Sequence, residues 1–407
     1  MGEILWFWLA ITGAACLVWT SRHLQLSAAQ RLMPPLDSGM FARSTRPLPA
    51  VTWLVAAKDE ADNIEACLRS LAGQDYPDLR IIAVNDRSTD GTGPIMDRLA
   101  AEHPRVSVVH VSALRDGWFG KNNAMREGVA QATGPWLCFT DADCVQVSPR
   151  SLAVAMHYAL EKSVDFLSVL PAHETKSFWE GVVQPACSGI MMIWFNPMRV
   201  NDPKRRTAYA NGAFMLMTRA CYDAIGGHDA VKTQLNEDMH MARLAKEAGL
   251  RLAVVSNVDL YTVRMYDRFA QIRAGWSRIF YGCFGTMRRL AVTALVVAVF
   301  SLLPWAALAA SVTATAIGWA RWSGWPLLAG LSGLTCLVQQ TVMFRFYRMN
   351  RLKAWYALAY PIGAAVGLWA LFGSMRRAAG SGSITWRGTT YREGRVDPVP
   401  QRGLAPP

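Results

Sequence analysis

The stretch PWLCFTDADC, residues 135–144, carries two aspartates directly after an apolar run. A short apolar run bounded by turn-forming residues predicts a buried strand, here 136–140. Asp141 and Asp143 then lie where that strand ends, on alternate positions of an extended chain. The pair has two interpretations: an ordinary turn, because Asp is common at such positions, or oxygen ligands for a divalent cation such as Mg²⁺ or Mn²⁺.

The residues before this stretch alternate between apolar runs and amphipathic segments. Strands are predicted at 51–57, 80–86 and 105–111, and helices at 62–73, 93–102 and 121–132. This alternation predicts an α/β domain with a mostly parallel, doubly wound sheet. Such sheets bind ligands at the carboxyl ends of their strands. The acidic residues expected at that edge are Asp59, Asp86, Asp141 and Asp143.

Three further motifs carry candidate functional residues. In NDRSTDGT, Asp86 serves either a turn or hydrogen bonds from a base N–H or a ribose hydroxyl. In DGWFGKNNA, Lys121 stands near a helix start, where a docked anion such as a diphosphate would offset the unfavourable macrodipole; the alternative is an exposed loop lysine. In LNEDMHMARLAKEAG, Glu237 and Asp238 either complement the helix dipole or supply a general base.

The composition excludes a disordered chain and indicates membrane segments, because 52% of the residues are hydrophobic and 18% are charged. The net charge of +12 comes from Lys and Arg clustered beside apolar runs, which fits anionic lipid headgroups better than nucleic acid. No zinc-finger spacing, RNP-like motif or basic helix with interleaved aromatics is present, so nucleic acid is not an expected partner. The eight cysteines lack any CxxC motif, which predicts a reduced, cytosol-facing protein.

Long apolar segments predict the membrane topology. Residues 4–20 are interpreted as an uncleaved N-terminal anchor, and 178–198 as a segment lying in the membrane interface. Three spans are expected at about 290–319, 325–344 and 354–373, which leaves the basic tail outside, against the positive-inside tendency. The prediction is a multi-pass protein of a bacterial-type inner membrane with a cytoplasmic catalytic domain. Its parts are an anchor (1–32), a linker (33–50), a catalytic domain (51–288), C-terminal transmembrane helices (289–375) and a basic tail (376–407).

Taken in order, the motifs form a known pattern. VAAKDE, NDRSTDGT, GWFGKNNA, TDADC and NEDMHMARLAKEAG resemble the successive motifs of family-two GT-A inverting glycosyltransferases, over roughly residues 51–285. The layout is similar to the membrane-bound branch that glycosylates lipids, which includes ceramide glucosyltransferases and hopanoid- or carotenoid-associated glycosyltransferases. TWRGTTYR, residues 385–392, is similar to the tail of ceramide glucosyltransferases.

The resemblance implies a GT-A domain that moves a sugar from a nucleoside-diphosphate sugar, expected to be a UDP-sugar, to a membrane lipid with the help of Mg²⁺ or Mn²⁺. It implies that Asp238, which forms an acidic pair with Glu237, is the general base. The remaining implied roles are Asp59, Glu60 and Asp86 beside the nucleoside, Lys121 beside the diphosphate, Asp141 facing the ribose and diphosphate, Asp143 with Asp141 on the metal, and Asn211 and Gly212 on the acceptor side.

One motif of the family is displaced. Many relatives carry QxxRW after the base, whereas Gln271 is followed here by IRAGW, so Arg273, Trp276 and Arg278 are the candidates for that acceptor-side role. The motif is associated with processive synthases, and its disruption favours transfer of a single sugar. The alternatives are a processive polysaccharide synthase of the same fold and a non-catalytic membrane scaffold. A nucleotidyltransferase is disfavoured because no glycine-rich motif follows the first strand.

Overall fold

The structure, a computed structural model, describes residues 2–266, 268–317, 324–380, 384–386, 389–392 and 395–396. The chain divides into two compact units, and each is described by itself. The sheet unit consists of Leu36–Pro171, Arg199–Val263 and Ala379–Pro407. The helix unit consists of Met1–Pro35, Ala172–Met198 and Arg264–Ala378.

Two segments lie in a different unit from the one that the predicted domain bounds give them. Residues 178–198 and 264–288, predicted as parts of the catalytic domain, belong to the helix unit. In that unit the Tyr347 hydroxyl donates to the carbonyl of Gly181 (2.9 Å). The hydroxyl of Ser374 donates to the carbonyl of Ser277 (2.7 Å). Both bonds attach these segments to the C-terminal helices, whereas hydropathy alone does not say which apolar partner a segment packs against.

The sheet unit is built on short strands, and those of its seven-stranded sheet are mostly buried, as their Val-, Ile- and Leu-rich sequences predict. The strands are β1 (Val51–Ala57), β2 (Leu79–Asp86), β3 (Val106–Val111), β4 (Trp136–Asp141), β5 (Cys144–Gln146), β6 (Phe166–Leu170), β8 (Met215–Thr218), β9 (Leu252–Ser256), β10 (Tyr261–Val263), β11 (Ile384–Trp386), β12 (Thr389–Arg392) and β13 (Arg395–Val396).

Seven of these strands form one sheet in the order β3-β2-β1-β4-β8-β6-β9. The neighbours from β3 to β4 are parallel, and so are β6 and β9, while β8 runs antiparallel to β4 and β6. This arrangement confirms the mostly parallel α/β sheet that the sequence predicts. β5 pairs antiparallel with β10, and β11 to β13 form a small antiparallel sheet.

Helices connect the strands of the sheet unit and make up most of the helix unit. The sheet unit holds α2 (Ile64–Ala72), α3 (Thr92–Glu102), α4 (Gly120–Ala130), α5 (Ser151–Glu161), α8 (Arg219–Ala224), α9 (Gly227–Ala230) and α10 (Glu237–Glu247), with α7 (Pro197–Val200) at its boundary. The helix unit holds α1 (Gly2–Leu32), the short strand β7 (Ala172–His173), α6 (Phe178–Met191), α11 (Phe269–Phe284), α12 (Met287–Val296), a π-helical segment (Val297–Leu302), α13 (Leu303–Ala316), α14 (Trp325–Met349), a 3₁₀ segment (Ala354–Ala359) and α15 (Tyr360–Ala379).

Three helical stretches of the helix unit are long and apolar enough to cross a membrane. They are Met287–Ala316, Trp325–Met349 and Ala354–Ala379, which match the three predicted C-terminal spans. Among the described residues α1 does not meet the same criteria, so its role as an anchor stays a prediction. Of the tail motif TWRGTTYR, residues 387–388 lie outside the described residues, and the remainder belongs to β11 and β12.

Candidate active site

The carboxyl ends of three parallel strands meet at one edge of the sheet. The register places Ala57 of β1 beside Asn85 of β2, and Ala56 beside Asp141 of β4. The chain leaves all three strands at this edge, so the acidic residues that end or follow them are brought to the same place. This is the position that the strand pattern predicts for a ligand site in a parallel sheet.

At the β1–β2 side of this edge, the acidic residues already have partners. Both carboxylate oxygens of the buried Asp86 accept hydrogen bonds from the guanidinium of Arg87, at 2.7 and 2.9 Å. Asp59 adopts a left-handed backbone conformation (φ 53°). One of its oxygens accepts hydrogen bonds from the backbone N–H (2.8 Å) and the hydroxyl (3.2 Å) of Thr89. Oε2 of Glu60 accepts a hydrogen bond from the side-chain amide of Asn63 (2.7 Å).

At the β4 side, Lys121 joins the two acidic motifs. Its ammonium lies 2.6 Å from Oδ1 of Asp141 and 2.7 Å from Oε1 of Glu237, whose side chain is buried at the start of α10. Burial alone would lower the pKa of Lys121, but the charges of Asp141 and Glu237 outweigh it and raise that pKa well above its usual value. Lys121 is therefore a permanent cation at this site.

Asp238 lies on the other side of the same cluster. Its Oδ2 accepts a hydrogen bond from the backbone N–H of Gly212 (2.8 Å), and its Oδ1 accepts one from the N–H of Met239 (2.7 Å). Burial and the neighbouring charge of Glu237 raise the pKa of Asp238 to about 7, although Lys121 and the two N–H groups act in the opposite direction. A carboxylate of this kind can accept a proton near neutral pH.

Gly212 marks the point where these groups converge. A Cβ atom built on it would lie 3.2 Å from Nζ of Lys121, 3.5 Å from Oδ2 of Asp238 and 3.6 Å from Oδ2 of Asp141. Glycine is therefore favoured here by the close approach of the Lys121 ammonium and not by an unusual backbone conformation. Three of the motifs named from the sequence, together with the Asn211–Gly212 segment, thus come together in space.

Ser168, a buried residue of β6, holds the neighbouring Asn211 in place. The hydroxyl of Ser168 accepts a hydrogen bond from the N–H of Asn211 (2.9 Å) and donates one to its carbonyl (3.3 Å). The side-chain oxygen of Asn211 accepts a bond from the N–H of Ala213 (3.0 Å). Sequence reasoning missed Ser168, because a serine inside an apolar strand gives no signal of what it faces.

The charge around Asp143 indicates whether the site fits a divalent metal. Burial, together with the charges of Asp141 and Glu60, raises the pKa of Asp143 to about 7. Among the described residues no group of three or more His, Cys, Asp and Glu side chains forms a complete protein cage. Lys121 pairs with Asp141, but the surplus negative charge around Asp143 suits a Mg²⁺ or Mn²⁺ ion bound by these two carboxylates, with substrate phosphates and water completing its shell. The donor set therefore fits such a metal.

Comparison with known proteins identifies the family of the chain. Residues 49–275, more than half of the chain, match the family described as "Glycosyltransferase like family 2". The chain belongs to this family. The family assignment from the ordered motifs is thereby confirmed, and all residues of the cluster described above lie within the matched range.

Two relatives of this family 2 chain are informative. The 4,4'-diaponeurosporenoate glycosyltransferase of Staphylococcus aureus is 29% identical over 256 residues, which is 62% of this chain and 66% of the relative, slightly less than two thirds of its length. The mannosyltransferase of Pyrobaculum calidifontis, solved in complex with GDP-Man and Mn²⁺, is 21% identical, with a TM-score of 0.50 over 81% of this chain and 97% of that chain. The second similarity confirms the predicted GT-A fold.

Three predicted acceptor-side residues of this family 2 chain lie on α11, in the helix unit. The guanidinium of Arg273 lies 4.5 Å from the ring centroid of Trp369. Trp276 is buried, and Arg278 donates a hydrogen bond to the hydroxyl of Tyr266 (3.3 Å). Because these residues belong to the other unit, their acceptor-side role stays a prediction.

Proposed function

We propose that this chain is a metal-dependent, inverting glycosyltransferase that moves a sugar from a nucleoside-diphosphate sugar, a UDP-sugar, to a membrane lipid. The observation that carries the proposal is the convergence of Lys121, Asp141, Gly212 and Asp238 at the carboxyl edge of the sheet. A cation, an acidic metal ligand and a carboxylate of raised pKa thereby surround one point. That combination suits the departure of a diphosphate and the activation of an acceptor.

The donor would bind along the sheet edge, with its nucleoside near Asp59, Glu60 and Asp86. Lys121, in the first turn of α4, would lie beside the diphosphate, where both the ammonium and the N-terminal helix dipole favour an anion. Asp143 and Asp141 would hold the Mg²⁺ or Mn²⁺ ion, which when bound neutralises charge on the diphosphate leaving group.

Asp238 would act as the general base of the transfer step. It takes the proton of the acceptor hydroxyl while that oxygen forms a bond to the anomeric carbon of the sugar. The bond from this carbon to the diphosphate breaks, its electron pair leaves with the nucleoside diphosphate, and the configuration at the carbon inverts. The raised pKa of Asp238, about 7, suits a base that works near neutral pH.

The helix unit supports a membrane location for the acceptor. Large apolar side chains on its long helices are exposed, including Leu295 (63%), Leu337 (61%) and Leu358 (73%). Exposed apolar residues on helical stretches of spanning length are expected where the surroundings are hydrocarbon and not water. We propose a multi-pass protein of a bacterial-type inner membrane, with the sheet unit in the cytoplasm.

The charge of the site favours a hydroxyl acceptor over a carboxylate. The S. aureus relative is named for a carboxylate substrate, 4,4'-diaponeurosporenoate. Here Asp141, Glu237 and Asp238 surround Lys121, so an ionised acceptor would meet predominantly like charge. An ionised carboxylate also has no proton for Asp238 to remove.

The test uses membranes from cells that express the wild type or the Asp238→Asn variant. Radiolabelled nucleotide sugars are added with Mg²⁺ or Mn²⁺, and label is counted in the organic extract and in the insoluble residue. We expect the wild type to transfer label from one donor into the organic phase and the variant to transfer none. This label should be stable to mild alkali, because mild alkali cleaves a sugar ester but not a glycoside. Alkali-labile label would identify a carboxyl acceptor, and label confined to insoluble polymer would replace the proposal with a processive synthase.

A further inference from the structure

A fully buried asparagine next to Lys121 contacts three backbone carbonyls of another segment. The side-chain amide nitrogen of Asn122 lies 2.7 Å from the carbonyl oxygen of Val231, 3.3 Å from that of Lys232 and 2.9 Å from that of Gln234. An amide group carries two N–H donors, so the three carbonyls share them. Residues 231–234 are thereby held against the first turn of α4.

The segment that Asn122 holds leads directly into the first turn of α10. Asn236 occupies the N-cap of that helix, and Glu237 and Asp238 are its first two residues. The N–H of Phe119, at the N-cap of α4, donates to the carbonyl of Lys232 (2.7 Å). The Lys121–Glu237 ion pair makes a second connection between the two helix starts. The start of α4 is therefore linked by a backbone bond to the segment before α10, and by charge to the first turn of α10.

The amide oxygen of Asn122 indicates which part of the side chain matters. Its amide oxygen is buried and has no hydrogen-bond partner among the described residues. A buried, unpartnered polar atom lowers the stability of the fold. The benefit of asparagine at this position therefore lies in its NH₂ group, which an apolar residue of similar size would not provide.

We propose that Asn122 is a positioning residue for glycosyl transfer, which fixes the general base Asp238 relative to Lys121 through the 231–234 segment. The inference rests on the proposed function and assigns a further residue to the same site. Asn122 itself does not contact the substrate. Its loss shifts the first turn of α10, and the proton acceptor moves away from the acceptor hydroxyl while Lys121 stays on α4 to bind the donor.

The chain supplies a matched control in the next residue. Asn123 is also almost fully buried, and its amide oxygen also has no partner in the described part of the chain. Its amide nitrogen, however, donates to the carbonyl of Ala113 (3.4 Å), outside the 231–234 segment. We expect Asn122→Ala to lower kcat by about tenfold to a hundredfold, the effect of moving a reacting group by about 1 Å. Donor affinity, measured by titration with UDP-sugar, should change by less than about threefold, and Asn123→Ala should keep kcat near the wild-type value.

A double-mutant cycle separates positioning from general destabilisation. If Asn122 acts through Asp238, Asn122→Ala lowers the residual rate no further in an Asp238→Asn background. Asn122→Ser, which keeps one donor, replaces the alanine variant if the latter does not fold. Equal kcat values for the Asn122 and Asn123 variants would overturn the inference but not the proposed function. The same holds if Asn122→Ala lowers the rate in the Asp238→Asn background as much as in the wild type. A wild-type protein that binds UDP-sugar but transfers nothing would overturn the proposed function and the inference with it.

Discussion

The two ends of the acidic edge differ in how their charge is neutralised. Asp86, on the β1–β2 side, accepts two hydrogen bonds from Arg87, so its charge is balanced within the protein. Asp143 and Asp238 lie near other acids, and burial together with that repulsion raises the pKa of each to about 7. On the first side the charge of Asp86 is balanced before any ligand binds. On the second side the carboxylates outnumber the cation Lys121, so a bound metal ion would balance charge that the protein leaves in excess.

The largest effect is expected at Asp238. Asp238→Asn keeps the size of the side chain but cannot take a proton, so transfer should fall by about a thousandfold, within the range of general-base catalysis. The wild-type rate should rise with pH and level off above the pKa of about 7, because only the ionised carboxylate is a base. The measurement is a pH–rate profile for both proteins. A variant that retains the wild-type rate would show that Asp238 is not the base.

The same substitution also changes how stability depends on pH. The pKa of Asp238 is raised from 3.8, so between pH 3.8 and about 7 the native state holds a proton that the unfolded chain has released. This contribution to stability is present at low pH and is lost as the pH rises through about 7. As the pH rises from 3.8 to about 7, the Tm of the wild type should therefore fall relative to the Tm of Asp238→Asn. A pH-independent difference would contradict the raised pKa.

The next effect is expected at Asp143. Asp143→Asn removes one negative charge from the crowded side of the edge and with it a ligand of the proposed metal. Transfer should fall by about a hundredfold, which is typical for loss of one electrostatic contact to a leaving group. Binding of UDP-sugar should lose its dependence on Mn²⁺, which titration calorimetry measures without turnover. Asp97→Asn, an exposed acid paired with His110, is the control and should leave both quantities unchanged.

A smaller effect is expected from Gly212→Ala. The added methyl group would lie 3.2 Å from Nζ of Lys121, so the lysine ammonium must shift by a few tenths of an ångström. We expect kcat to fall by about tenfold, since the displacement is smaller than in a lost contact. Gly189→Ala is the control, because no atom beyond the neighbouring backbone of its own helix lies within 4 Å of the Cβ position there. Equal kcat values for both variants would mean that Gly212 is not needed for close packing.

Much of the fold, and the positions of the strand-end aspartates and of Lys121, could be predicted from the sequence. Parallel strands bring their carboxyl ends to one edge, so the aspartates that end them, Asp86 and Asp141, were placed correctly by the strand pattern alone. The polarity of α4 likewise places Lys121 at an anion-favouring helix start. These features depend on local periodicity and on the general geometry of α/β sheets.

The contacts between distant segments could not be predicted in this way. The Lys121–Glu237 ion pair and the three carbonyl contacts of Asn122 depend on where the connection before α10 returns to the sheet. No periodicity of a single sequence contains that information. Ser168 was missed for the same reason, since its partner Asn211 is brought to β6 through the antiparallel strand β8. Periodicity likewise does not assign 178–198 to the helix unit.

The smallest effect is expected on the balanced side, at Asp86. Asp86→Asn keeps one acceptor oxygen and loses one of the two hydrogen bonds from Arg87, at a cost of about 1 kcal/mol. Because Asp86 would contact the nucleoside and not the reacting atoms, the loss should appear as a donor KM raised about fivefold with kcat retained. Steady-state kinetics with varied UDP-sugar measures both constants. A fall in kcat as large as that of Asp143→Asn would mean that the two sides of the edge do not divide binding from transfer, and the difference in charge neutralisation would then have no functional meaning.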